Sequence, residues 1–91
     1  MSDNISLRTK VKIGRITVVV LTDRMFDAPK GKHCIETMVF AADKRGEPRF
    51  DRPLTALSKW YLAEEEAVAG HEKAVRWLLT QRDIRDLVER R

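Results

Sequence analysis

The sequence predicts a small α+β fold: an antiparallel sheet of three or four strands, one long helix packed on it and a short C-terminal helix. Residues 7–13 alternate between apolar and basic side chains, the period of two typical of a strand with one buried face. Residues 16–21 follow as a β-branched apolar run. From residue 64 the apolar spacing becomes that of a helix. With 91 residues, the chain has room for a single domain, 1–91.

The first two predicted strands meet at Gly14 and Arg15. Within the first strand the side chains divide into two faces, Leu7, Thr9, Val11 and Ile13 on one and Arg8, Lys10 and Lys12 on the other. A glycine at the first position of a two-residue turn suits a type II′ hairpin. A single long strand, bent by a bulge at Gly14, is the alternative. The run from Ile16 to Leu21 suits a strand that is covered on both faces.

Two polar stretches that contain proline and glycine, 23–33 and 43–53, are predicted to be connectors. Between them, residues 34–41 are predicted to form the third strand. Residues 54–62 fit a fourth strand, although their alanine and leucines also suit a helix. All strands are therefore expected within about 7–62.

The long helix is predicted to span about residues 64–80. Three glutamates occupy its first turn, where the helix dipole stabilises negative charge, and this role explains them without a metal or acid–base site. One apolar stripe follows at spacings of four, three and four residues and consists of Ala67, His71, Ala74 and Leu78. A capping-box-like segment that starts at Thr80 predicts a second, short helix over about residues 81–90.

Gly70 and His71 are adjacent within this predicted helix. A glycine in a helix interior costs ~1 kcal/mol relative to alanine, so we expect a strand or side chain to approach Gly70 closely. His71 lies on the apolar stripe and is expected to be a packed histidine that hydrogen-bonds into the sheet. A nucleophilic pair of Cys34 and His71 is the catalytic alternative, although no orienting third residue is identifiable.

Motifs for catalysis, metal binding and membrane insertion are missing from the sequence. It contains no phosphate-binding glycine loop, no Gly-x-Ser-x-Gly elbow and no His-Glu-x-x-His. Cys34 is the single cysteine, and His33 and His71 do not have metal-ligand spacing. No apolar run approaches the ~18 residues of a membrane span, and residues 1–4 lack the features of a secretory signal. We expect a non-enzymatic protein without cofactor, metal or membrane contact, not secreted through a signal peptide.

Two surfaces are candidates for binding. The candidate basic face consists of Arg8, Lys10, Lys12 and Arg15. It could follow the phosphates of nucleic acid or an acidic protein groove, or its lysines could protect an edge strand from aggregation. The candidate partner interface lies off the helical stripe and consists of Trp77, Ile84, Leu87 and Val88. For Trp77, an anchor in a partner and a bridge between the two terminal helices are both open.

Two segments carry a family resemblance. An E-T-M-V-F strand at residues 36–40 is followed by W-Y-L-A-E-E-E-A-V-A-G-H at residues 60–71. This arrangement resembles small, mostly uncharacterised proteins of tailed bacteriophages, which carry an E-T-M-V-F-like strand, an aromatic strand end, a T-x-E-E-A helix start and a G-H pair. The resemblance covers about residues 34–77. One departure is Ala63 at the helix cap, where the family commonly has Thr or Ser, a loss of roughly 1 kcal/mol of capping.

The resemblance implies a phage setting, in the virion or in the host cytoplasm. The expected function is a virion-associated structural or adaptor component that contacts other phage subunits. The alternatives are a host-takeover or anti-defence protein that inhibits a host protein, and a small nucleic-acid-binding regulator that uses the basic face. Self-association is a further open alternative for the partner contact.

Overall fold

The computed structural model describes residues 6–27, 32–54 and 58–81. Within these ranges the elements are β1 (Ser6–Ile13), β2 (Ile16–Asp27), β3 (Lys32–Ala42), β4 (Pro48–Pro53), β5 (Lys59–Tyr61) and α1 (Glu64–Leu79). The strands form one antiparallel sheet in the order β1-β2-β3-β4. β5 also pairs with β3, at residues 35–37, whereas β4 pairs with it at residues 40 and 42. The predicted α+β fold class is confirmed. The short helix predicted over about residues 81–90 lies outside the described residues.

The β1–β2 connection is a two-residue hairpin, and the bulged-strand alternative is wrong. Ile13 lies opposite Ile16, and Gly14 between them has a φ of 62°. Arg15 does not have a positive φ, so only the first turn position adopts the left-handed conformation. That combination is the one a type II′ turn requires and the one glycine provides without strain.

The predicted connector at 23–33 is too long. β2 continues to Asp27 and β3 begins at Lys32, and these two residues lie opposite each other. Polar residues do not by themselves end a strand, because an antiparallel pair can extend past its core. The proline and glycine that indicated a loop are both within residues 28–31, outside the described residues.

The predicted connector at 43–53 is also wrong in its second half, because Pro48–Pro53 is strand β4. The two prolines lie opposite Ala42 and Phe40, and the register shifts between these pairs. Proline is tolerated at such an irregular edge because it need not donate to the ladder. The fourth predicted strand, 54–62, is reduced to Lys59–Tyr61 in the described residues, which exclude 55–57.

Two apolar clusters lie on opposite faces of the sheet. The cluster beneath α1 consists of Val11, Ile13, Val18, Val20, Val39, Leu54 and Leu78. The cluster on the other face consists of Val19, Leu21 and Phe40, with Met38 and Ala42 packed against it. Because side chains alternate along a strand, the two clusters share β2, which is covered on both faces as its sequence predicts.

Candidate functional site

His71 of α1 is the centre of a buried polar network. Its Nδ1 lies 2.7 Å from Oγ1 of Thr22, and its Nε2 lies 2.8 Å from Oγ1 of Thr9. Oγ1 of Thr22 lies a further 2.7 Å from Oγ1 of Thr37. Since each hydroxyl can both donate and accept, a neutral imidazole satisfies both ring nitrogens here. The network joins the helix to three consecutive strands, as expected for a histidine packed into the sheet.

The surroundings of His71 favour the neutral ring. The residue is 5% exposed, and this burial lowers its pKa below the ordinary value of 6.5, while the carboxylate of Glu72 opposes the shift. Both ring nitrogens are already bound to threonine hydroxyls, so the ring has no vacant lone pair for a metal or a nucleophile. The side chain of Cys34, the other member of the catalytic alternative, lies outside the part of the chain described.

Gly70, the neighbour of His71, lies against the ring of Tyr61. A Cβ added to Gly70 would be 2.1 Å from the Tyr61 hydroxyl oxygen and 2.3 Å from Cζ, far inside van der Waals contact. The glycine therefore lets the phenol lie directly across the helix backbone. The close approach predicted from a glycine within a helix is confirmed, and it positions β5 against α1.

Beside this contact lies an open groove of ≈ 260 Å³ between β5 and α1, the β5–α1 groove. Its lining includes Lys59, Tyr61, Gly70, Lys73, Ala74 and Trp77. The indole of Trp77 is 42% exposed, and the ammonium of Lys59 lies 5.9 Å from the centroid of the Tyr61 ring. The groove thus combines two aromatic side chains with two lysines. Sequence reasoning identified Trp77 but not the lysines, whose convergence depends on how β5 meets α1.

Of the predicted partner interface, only Trp77 is among the described residues. Ile84, Leu87 and Val88 lie outside them. Trp60, one residue before Tyr61, is 51% exposed, whereas Tyr61 is half-buried against the helix. This difference follows from the alternation of side chains along β5.

The four residues of the predicted basic face lie in two separate environments. Arg8 forms an ion pair with Glu47, and the ammonium of Lys10 lies against Gly46, where an added Cβ would be 3.0 Å away. Lys12 and Arg15 instead line a separate cleft of ≈ 470 Å³. The turn between β3 and β4 thus divides the basic face into a covered part and an open part.

This cleft, named the basic cleft below, lies between the β1–β2 turn and the β3–β4 turn. Its charged lining consists of Lys12, Arg15, Lys44, Arg49, Arg52 and Asp43. Three of these cations come from the stretch that the sequence predicted to be a connector. The sequence shows the charge of that stretch. It does not show that β4 pairs with β3, and this pairing brings the charge beside Lys12.

Residues 6–27, 32–54 and 58–81 contain no group of three or more His, Cys, Asp or Glu side chains placed to hold a metal ion. The same ranges contain no helix with the length and apolarity needed to cross a membrane. Comparisons of the chain with protein-family models, with curated proteins and with solved structures find no match.

Proposed function

We propose that this chain is a non-enzymatic binding and assembly protein that holds an acidic, extended segment of a partner protein in the β5–α1 groove. The observation that carries the proposal is the position of Trp77. The core face of α1 is already buried through Ala67, His71 and Leu78, so the indole on a different face is not needed to cover the sheet. An exposed indole beside a groove is the side chain that most often anchors a protein–protein contact.

The chemistry of the partner follows from the charges and the backbone around Trp77. Lys59 and Lys73 line the groove and favour carboxylates. β5 pairs with β3 on one side, and no strand pairs with its other side among the described residues. An extended segment can therefore add to this edge through main-chain hydrogen bonds while its side chains enter the groove.

The resemblance to small tailed-phage proteins supports a virion-associated structural or adaptor role for this binding, with larger phage subunits as partners. Mass spectrometry of purified particles of the source phage tests this setting, and we expect the chain at a fixed stoichiometry. Its absence from particles, together with recovery in complex with a host protein, would favour the host-takeover role instead.

The groove is tested with peptides selected from a random displayed library on the full chain. We expect acidic peptides whose binding shifts the indole N–H resonance of Trp77. Trp77→Ala should weaken their binding by about 2 kcal/mol, or roughly 30-fold. Lys73→Glu, which reverses a charge in the groove, should also weaken the binding of acidic peptides. Leu79→Ala is the matched control, because Leu79 is exposed on the same helix but does not line the groove.

Equal affinity of the Trp77→Ala variant and the wild type would contradict the proposal. So would a set of selected peptides without excess acidic residues. Thermal denaturation of Trp77→Ala and Leu79→Ala separates loss of binding from loss of folding. Because both side chains are exposed, neither substitution should change the midpoint strongly.

A further inference from the structure

The basic cleft concentrates positive charge in a small part of the surface. Five cationic side chains and one carboxylate line it, a surplus of four positive charges in ≈ 470 Å³. This surplus is as large as the net charge of +4 of the whole chain. Elsewhere on the chain the acidic and basic side chains are therefore equal in number, and the cleft holds an excess of positive charge as large as that of the whole chain.

The negative groups near the cleft are already engaged. Asp43 accepts hydrogen bonds through Oδ1 from the backbone N–H groups of Arg45 and Glu47, at 2.8 and 2.9 Å. Asp51 is paired with Arg49 at 3.1 Å. Within the described part of the chain, the other four cations of the cleft, Lys12, Arg15, Lys44 and Arg52, have no carboxylate within 4.0 Å.

An exposed aromatic ring accompanies these cations. Phe50 does not line the cleft itself, but it lies in β4 between Arg49 and Arg52, which do, and it is 69% exposed. Its ring packs edge-on against the buried Phe40, with centroids 5.0 Å apart and an interplanar angle of 70°. Phe50 is thus supported from below while much of its surface faces water. A supported aromatic ring beside a cluster of cations is the combination on which single-stranded nucleic acids stack their bases.

We propose that the basic cleft binds single-stranded nucleic acid, with the phosphates at Lys12, Arg15, Lys44 and Arg52 and one base stacked on Phe50. An acidic protein would use the same cations but would have no need of the exposed ring. The cleft shares no residue with the β5–α1 groove, so this site is independent of the proposed partner protein.

Fluorescence anisotropy of labelled oligo(dT) with the full chain tests the proposal. At ~50 mM salt we expect saturable binding that weakens with salt, with a log–log slope of about −3 for four phosphate contacts to a single strand. No binding at this salt concentration would overturn the proposal. A duplex of the same length that binds more tightly than oligo(dT) would also overturn it, because base pairing hides the face that Phe50 requires.

A pair of double variants separates the cleft from net charge. Lys44→Gln with Arg52→Gln removes two phosphate contacts and should reduce the slope to about −1.5. Lys59→Gln with Lys73→Gln removes the same charge from the β5–α1 groove and should leave the slope near −3. Equal losses in both double variants would show that only net charge matters, and the site would then be wrong.

The stacking of a base on Phe50 is tested with substitutions that remove or keep the aromatic ring without changing the charge. Phe50→Leu should weaken oligo(dT) binding by roughly tenfold, within the ~1–3 kcal/mol of one stacked base, and Phe50→Tyr should restore it. Binding of heparin, a polyanion without bases, should be the same for all three proteins. An unchanged affinity of Phe50→Leu for oligo(dT) would reduce the cleft to a general polyanion site and contradict the proposal.

Discussion

The two faces of the sheet treat polar side chains in opposite ways. Beneath α1, the hydroxyls of Thr9 and Thr22 bond to His71 and that of Thr37 bonds to Thr22, and among the described side chains no buried nitrogen or oxygen lacks a partner. On the other face, the outward side chains of β1 are cations next to an apolar cluster; Arg8 pairs with Glu47, and Lys12 lines the basic cleft. The first arrangement fixes the strands relative to the helix, and the second leaves the charge of Lys12 in the basic cleft accessible to a partner.

Thr22→Val should cause the largest loss of stability, because its hydroxyl contacts both His71 and Thr37. Removing it leaves two buried polar atoms without this partner, so we expect the free energy of unfolding to fall by about 3 kcal/mol. Urea denaturation measures the change. Thr17→Val is the matched control on the same strand, where no hydroxyl bond is lost, and it should change stability by less than about 0.5 kcal/mol. Similar effects of the two substitutions would mean that the network contributes nothing.

Gly70→Ala should have an intermediate effect on the free energy of unfolding, and the sign of this effect should depend on whether Tyr61 is present. In the wild-type background the new methyl group collides with the ring of Tyr61, and we expect a loss of about 1–2 kcal/mol. In a Tyr61→Ala background the ring is gone, and the helix propensity of alanine should give a gain of up to ~1 kcal/mol. A double-mutant cycle by chemical denaturation measures the coupling. Additive effects would contradict the close contact.

The pH dependence of stability should show a smaller effect. Because burial lowers the pKa of His71 in the folded protein, the unfolded chain binds a proton first as the pH falls. The free energy of unfolding should therefore decrease below about pH 6.5, by at most ~1.4 kcal/mol per pH unit for one proton. Denaturation at pH 7.5 and 5.5 measures this, and the decrease should vanish in His71→Gln. A decrease that persists in His71→Gln would assign it to another group.

The elements with clear periodicity could be predicted from the sequence. The alternation of residues 7–13 gave β1 and its hairpin with β2, and the stripe through Ala67 and His71 gave α1, because local spacing reports which face is buried. β4 was missed because Pro48 and Pro53 are loop signals in most contexts, and they are tolerated here only at an irregular sheet edge.

The sites were less predictable because they depend on pairing between distant segments. Thr9 and His71 are 62 residues apart, and nothing in the local sequence indicates that they meet. Lys12 and Arg52 likewise converge only through the order of strands β1 to β4. The basic face drawn from β1 alone therefore combined Arg8, which is paired, with Lys12, which is open.

The threonine–histidine network also helps to determine the register in which β1 pairs with β2. A slip of β1 by one residue is already excluded by its apolar pattern, because it would turn every side chain of the strand to the other face. A slip by two residues keeps the faces but replaces Thr9 opposite the imidazole with Leu7 or Val11, neither of which can form the hydrogen bond. A single hydroxyl at this position thus penalises misaligned sheets and favours one native pairing.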